Sequence, residues 1–369
     1  MSPNDAFRIV VLPGDGIGHE VMAPCLTLLD AAARRIGGFS LSFDQHDAGA
    51  FVYRDTGVAL PSQAMTAARR GDAILLGAMG WPEIRYPDGT EIAPQLDLRF
   101  ELGLYAGVRP VRTLPNLPQV LADPRARSLD FVIIRESTEG LFASRGKGIV
   151  EADREARDTM VITRKVCEPL FDFAFGLARR RKARGGRGVV TCVDKANVFA
   201  SLAFFRKIFD ERAARHTDLL AEHAYVDATA LYMVRRPWEL DVLVTENMFG
   251  DILSDLGAGL AGGLGFAPSA DIGDQHAVFQ PCHGTAPDIA GQGKANPTAM
   301  VLSGAMMLEW LGERHSRPEA IRAGELIRSA VDRAFAAGLK PVESGGADGT
   351  HAIGAAVLAA IQEIDPQGL

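Results

Sequence analysis

RIVVLPGDGIGHE, residues 8–20, sets a short apolar run, Arg8–Leu12, directly ahead of a glycine-rich turn, Pro13-Gly14-Asp15-Gly16-Ile17-Gly18. A brief apolar run bounded by turn residues marks a strand buried on both faces. The pattern recurs at Ala73–Leu76, Phe131–Ile134, Val189–Val193 and Val242–Thr245, with amphipathic helical stretches between the runs. That alternation predicts an α/β fold. The glycines follow GxGxG and not GxGxxG, and no clear acidic residue stands about 20 positions on, so the turn is not read as a Rossmann dinucleotide fingerprint.

The chain has 369 residues, 47% hydrophobic and 23% charged, enough material for two domains. A net charge of -7 gives no reason to expect nucleic acid or an anionic membrane as partner, so any anionic ligand must be gripped by a local cluster. Cys25, Cys167, Cys192 and Cys282 are scattered without CxxC or CxxH pairing, which suggests neither a zinc site nor a disulfide framework and fits a cytoplasmic protein. The N-terminal residues lack the order of a signal peptide, and no apolar run approaches the roughly 18 residues of a membrane span. The basic run Arg179–Arg184, followed by Gly185-Gly186, reads as the end of a helix.

Several segments carry chemistry. Arg99 and Arg109 flank an apolar stretch and Arg135 follows a strand, so three planar guanidiniums are available for carboxylates, although each alone is commonly a surface residue. In Glu246-Asn247-Met248-Phe249-Gly250-Asp251-Ile252-Leu253-Ser254-Asp255, a helix starting near Gly250 stacks Asp251 and Asp255 on one face, as ligands for a hard cation or as a solvated acidic start. Apolar and small neighbours favour a cleft. Lys195, after strand Val189–Val193, suits proton transfer or a salt bridge with Asp194 or a neighbour. Asp227 reads most simply as a helix N-cap. The loop Gln280–Pro297 is long and built of small residues, which marks a functional loop or a surface Ω-loop. In it His283 and Asn296 suit an adenine, and Asp288 suits a ribose diol while repelling a 2′-phosphate.

Taken in order, LPGDGIG, LR followed by YAGVRP, IREST, VDKANV, YVDA, FGDILSD and HGTAPDIAGQGKANP closely resemble the β-decarboxylating dehydrogenases over nearly the whole chain. The closest resemblance in motifs is to NAD-dependent members acting on 3-isopropylmalate. It implies a two-domain α/β/α fold, with 1–104 plus 262–369 as a large domain carrying the NAD loop. Residues 105–261 would form a smaller domain with the metal ligands and the interface of a homodimer. Arg99, Arg109 and Arg135 match the substrate-carboxylate arginines; Asp251 and Asp255, with Asp227 of the partner subunit, match ligands for Mg²⁺ or Mn²⁺. Lys195 and Asp227 match the catalytic proton relay. Lys195 and Asn197 match residues delivered across the dimer interface. His283, Gly284, Thr285, Ala286, Asp288, Asn296 and Asn197 match cofactor-binding positions. The implied reaction sends hydride from a 2-hydroxy acid to NAD⁺, then releases the β-carboxylate as CO₂.

The sequence departs from this pattern where Phe142 stands at the position of a proton-donating tyrosine, since a phenyl ring has no proton to give. Tyr105 and Tyr225 are the candidate replacements. Two smaller departures are His19 for a usual proline and Gln280 for a common glutamate. The segment before Arg99 lacks the serine and asparagine that bind the third carboxylate of isocitrate, which disfavours that acid. Ile92, Leu96 and Val198 suit an isopropyl-bearing substrate such as 3-isopropylmalate, whereas Gln95 suits a smaller or more polar substituent, as in D-malate or tartrate. A non-catalytic metabolite-binding subunit is the competing class; the intact set Lys195, Asp227, Asp251 and Asp255 argues against it.

Overall fold

The computed structural model describes residues 6–368. The first part of the chain forms β1 (Ala6–Gly14), α1 (Gly18–Ile36), β2 (Ser40–Gln45), α2 (Ala50–Thr56), α3 (Ser62–Arg70), β3 (Ala73–Ala78) and α4 (Pro94–Glu101). The middle forms β4 (Ala106–Arg112), β5 (Asp130–Glu136), β6 (Ile149–Glu151), β7 (Glu155–Arg157), α5 (Arg164–Ala183), β8 (Val189–Asp194) and α6 (Ala200–Ala213). Next come β9 (Leu220–Tyr225), α7 (Val226–Arg235), β10 (Val242–Thr245), α8 (Asn247–Ala261), β11 (Pro268–Ile272) and β12 (Ala277–Pro281). The chain closes with α9 (Thr298–His315), α10 (Pro318–Ala336) and α11 (Thr350–Glu363).

Ten strands join in one sheet, in the order β2-β1-β3-β12-β11-β4-β5-β10-β8-β9, and β6 with β7 makes a separate antiparallel ribbon. Each apolar run anticipated as a strand lies within one: β1, β3, β5, β8 and β10. Their side chains divide by the two-residue period. Ile9, Val11, Leu75, Val132 and Ile134 enter one core, while Val10, Leu12, Ile74, Leu76, Phe131 and Ile133 enter cores on the other face. This is why the runs are wholly apolar: both faces of the sheet are covered. The basic run closes α5, as anticipated.

The sheet changes direction at its centre. β2, β1, β3 and β12 are parallel neighbours, and so are β5, β10, β8 and β9. Between these two blocks β12-β11, β11-β4 and β4-β5 pair antiparallel. The short strands that make this junction carried the weakest signal in the sequence, yet they build the floor of the site.

The turn after β1 packs against the Gln280–Pro297 loop. Gly16, at φ +54°, lies so close to the Gln280–Pro297 loop that an added Cβ would stand 2.2 Å from the carbonyl oxygen of Thr285. Ile17 N–H donates to that carbonyl at 3.0 Å. Glu20 accepts from the N–H groups of Gly291 and Gly293. Buried Asp15 accepts from the N–H groups of Ala50, Phe51 and Gly80, fixing the start of α2 and the end of β3. The glycine-rich turn is a brace for another loop.

Candidate active site

Period and register together assemble the floor. Asp271 on β11 lies opposite Gly107 on β4, and Gly107 lies opposite Arg135 on β5. Arg109, two residues along β4, faces the same way, as do the paired residues Ser269 and Gln280. Gly107 contributes no side chain, and none would fit: a Cβ there would stand 2.6 Å from Ser137 Oγ and 3.1 Å from Asp271 Oδ1.

Two helices close the walls. α8 begins at Asn247, three residues before the expected start, because Glu246 caps it by accepting from the N–H groups of Met248 and Phe249. Asp251 and Asp255 then share one face. α4, opened by Pro94 in its first turn, brings Gln95 and Arg99. The half-open cleft between them, about 180 Å³, is walled by Gln95, Arg99, Arg109, Arg135, Asp251 and Asp255, together with Gln280 to Gly284.

Asp271 organises the arginines, and the sequence reading missed it. Its Oδ2 accepts from Arg99 Nε at 2.9 Å and Gln280 Nε2 at 2.8 Å; its Oδ1 accepts from Arg109 Nη2 at 3.1 Å and Ser137 Oγ at 3.3 Å. Burial alone would push this carboxyl up, but Arg99, Arg109 and Arg135 outweigh it and hold the group at about 2. Arg135 donates through Nε and Nη2 to Asn247 Oδ1 and through Nη1 to Asp251. Burial, then the charge of Arg99, lowers it to about 10, so it stays cationic at neutral pH. Burial, then the adjacent Asp251 carboxylate, raises Asp255. The one signal in the sequence for Asp271 is an acidic residue inside a short strand of small and apolar residues, two positions from Ser269.

Lys195 and Asp227 form a different constellation. Lys195 Nζ lies 2.8 Å from Asp227 Oδ1, and that ammonium lowers the Asp227 carboxyl. Asp194 is engaged elsewhere, by Arg206 at 2.7 Å. Asp227 is not an N-cap: Tyr225 occupies that position and Asp227 sits in the first turn of α7. Neither Lys195 nor the exposed Asn197 lines the cavity, and among the described residues no three His, Cys, Asp or Glu side chains converge on a common point within one chain.

The other expected residues are placed as follows. Phe142 lies beneath Arg135, whose Cζ is 5.1 Å from the ring centroid. Tyr105 donates its hydroxyl to Asp274, and Tyr225 lies against Lys195 and Arg206. Ile92 belongs to a small core with Ala50 and Ala59, Val198 is 60% exposed, and neither they nor Leu96 wall the cavity. In the loop after β12, His283 Nδ1 contacts its neighbour's carbonyl oxygen, its Nε2 has no partner, and burial lowers the imidazole below its ordinary range. Thr285 is buried, Gly284 and Asp288 are exposed, and Ala286 adopts a left-handed φ of 40°. Asn296 donates to Glu343 and accepts from Thr298 N–H, so its amide steadies the start of α9. His19 is exposed on α1.

Comparison with known proteins agrees with this geometry. The family pattern described as isocitrate/isopropylmalate dehydrogenase matches residues 8–357. The 3-isopropylmalate/3-methylmalate dehydrogenase of Methanocaldococcus jannaschii is 43% identical over 92% of this chain and 94% of its own. The 3-isopropylmalate dehydrogenase of Moorella thermoacetica is 41% identical over 90% and 92%. Among solved structures, an isocitrate dehydrogenase from Methylococcus capsulatus superposes with a TM-score of 0.83 at 34% identity, covering 97% of this chain and all of that one. A β-decarboxylating dehydrogenase from Thermococcus kodakarensis gives 0.79 at 36% identity, covering 97% and 96%. With sequence, fold and cavity in agreement, the chain is a decarboxylating dehydrogenase and belongs to the isocitrate/isopropylmalate dehydrogenase family.

Proposed function

We propose that this enzyme carries out NAD-dependent, Mg²⁺- or Mn²⁺-assisted oxidation and decarboxylation of a 2-hydroxy acid bearing a β-carboxylate, with 3-isopropylmalate or a related alkylmalate as substrate. The observation that carries this reading is the single cavity in which three arginines face the Asp251–Asp255 pair. Two relatives named for 3-isopropylmalate support the substrate.

The donor set fits a hard divalent cation: two carboxylate groups four residues apart on one face of a helix. When bound, the cation supplies Lewis-acid polarisation of the substrate oxygens, and the nicotinamide supplies the hydride acceptor. The chain's own residues do the rest. Arg99, Arg109 and Arg135 orient the substrate's carboxylates, Lys195 with Asp227 moves the hydroxyl proton, and the walls exclude water. Asp251 and Asp255 hold the cation, with Asp227 of the partner subunit as third ligand. His283, Gly284, Thr285, Ala286, Asp288 and Asn296, with Asn197 of the partner subunit, would receive the cofactor.

A homodimer is part of this proposal. It is supported by the absence of Lys195 and Asp227 from the residues that line the cavity, and by exposed apolar residues on the segments around them: Val198, Phe199, Leu231, Val234 and Ile252. The strand reversal between β11 and β4 supports a seam between a large domain, 1–104 plus 262–369, and a smaller one, 105–261. Three fully buried free thiols fit a reducing cytoplasm, and among the described residues no helix is long and apolar enough to cross a membrane.

A second reading, D-malate or tartrate as substrate, is favoured by Gln95, which walls the cavity and whose Oε1 has no partner. One screen separates these: NADH formation with Mn²⁺ across 3-isopropylmalate, D-malate, tartrate, isocitrate and homoisocitrate. The exposed Asp288 should repel a 2′-phosphate, so kcat/KM with NAD⁺ is expected to exceed that with NADP⁺ by about tenfold or more. Equal use of both cofactors would remove Asp288 from the reading.

Phe142 gives a further expectation. Its ring lies against Arg135, so Phe142→Tyr brings a phenol to the edge of the site. NADH formation should stay within about threefold of wild type while the protonated product appears faster relative to NADH in a single turnover. If that ratio does not change, position 142 has no part in proton transfer.

A further inference from the structure

Three guanidiniums meet three carboxylates around the cavity, and the carboxylates differ in kind. Asp251 and Asp255 project from α8 with part of their surface exposed, whereas Asp271 is 1% exposed and sits within the sheet, with both oxygens taken by hydrogen bonds. It is too enclosed to serve as a ligand or to touch a substrate.

What it does touch is informative. Arg99 gives only its Nε to Asp271, and among the described residues its terminal nitrogens have no hydrogen-bond partner although Arg99 walls the cavity. Arg109 is pinned from two sides, by Asp271 and by the carbonyl oxygen of Ala270 at 2.9 Å. An arginine held by Nε presents the outer edge of its fork, the geometry that grips a carboxylate with two parallel bonds. Gln280 completes the arrangement. Its amide donates to Asp271 at 2.8 Å; a glutamate there would set two carboxylates side by side.

We propose that Asp271 is a positioning and specificity residue, aiming Arg99 at the substrate and cancelling one guanidinium charge so that the site takes acids with two carboxylates in preference to three. This rests on the hydroxy-acid dehydrogenase reading above and deepens it. By pairing with Arg99 and Arg109, Asp271 lowers the net positive charge that a third substrate carboxylate would meet. Asp271 carries out no chemistry itself; it acts through Arg99 and Arg109.

The test uses the full-length enzyme and two readouts: steady-state kinetics with the best dicarboxylate substrate and with isocitrate, and thermal stabilisation of the enzyme by each acid without cofactor. In Asp271→Asn, KM for the dicarboxylate should rise about tenfold or more with kcat changed about threefold at most, and the discrimination against isocitrate should shrink by about tenfold. Gln280→Glu keeps Asp271 and its arginine contacts but adds a charge, so it should weaken stabilisation by both acids, isocitrate more. The double variant Asp271→Asn with Gln280→Glu, which moves the carboxylate to the neighbouring strand, should recover most of the loss in the single Asn variant. A folded Asp271→Asn enzyme with unchanged KM and unchanged stabilisation overturns the proposal. So does a double variant as poor as the single. If Asp271→Asn does not fold, because two buried arginines lose their counter-ion, Gln280→Glu decides: unchanged stabilisation by both acids overturns the charge role. A wild type that oxidises none of the acids yet is stabilised by dicarboxylates would refute the dehydrogenase reading while leaving the role of Asp271 standing.

Discussion

Asp251→Asn is expected to lower Mn²⁺-dependent turnover by about a thousandfold or more while the protein stays folded. The residue has two neighbours that make the loss specific. Asp255, on the same helix face, would be left as the only carboxylate of the pair, and a neutral amide is a far weaker ligand for a hard cation. Arg135 would lose one anionic partner but keep both bonds to Asn247, so the scaffold should hold. The measurement is turnover against Mn²⁺ concentration alongside thermal melting. Retained turnover with unchanged metal dependence would mean that the cation binds elsewhere.

Lys195→Met should cost about as much, roughly a hundred- to ten-thousandfold in kcat, because the hydroxyl proton loses its relay. The more telling experiment mixes the two dead enzymes. Lys195 is paired with Asp227 at 2.8 Å, yet neither is among the walls of the cavity that holds Asp251. If each site draws Lys195 from one chain and Asp251 from the other, a dimer of one Lys195→Met and one Asp251→Asn subunit contains one intact site. Random reassociation should then restore about a quarter of wild-type activity per subunit. No recovery after verified subunit exchange would place both residues in a single-chain site and sink the shared-site proposal.

The unequal legibility of these features follows from how each is encoded. The strands β1, β3, β5, β8 and β10 were plain because strands covered on both faces have to be apolar throughout, and that contiguity survives in the sequence. Asp251 and Asp255 were plain because helical spacing is local, and the structure puts them on one helix face at the cavity. The three arginines could be named but not joined, since Arg99 comes from a helix, Arg109 and Arg135 from antiparallel neighbours, and nothing local fixes the register of β4 on β5.

By itself the sequence determined the fold class, since burial on two faces and helical periodicity are written in neighbouring positions, while the family and the candidate site residues came from the resemblance of its motifs. Only the tertiary structure decided what those residues do to one another. It turned the glycine-rich turn into a brace by setting Gly16 against Thr285. It separated the Lys195–Asp227 pair from the cavity. It also made Asp271 the counter-ion of Arg99 and Arg109, although they stand 172 and 162 positions away in the chain. The physical reason is that a buried charge is tolerated only where opposite charges surround it, and that surrounding is drawn from strands and helices far apart in sequence.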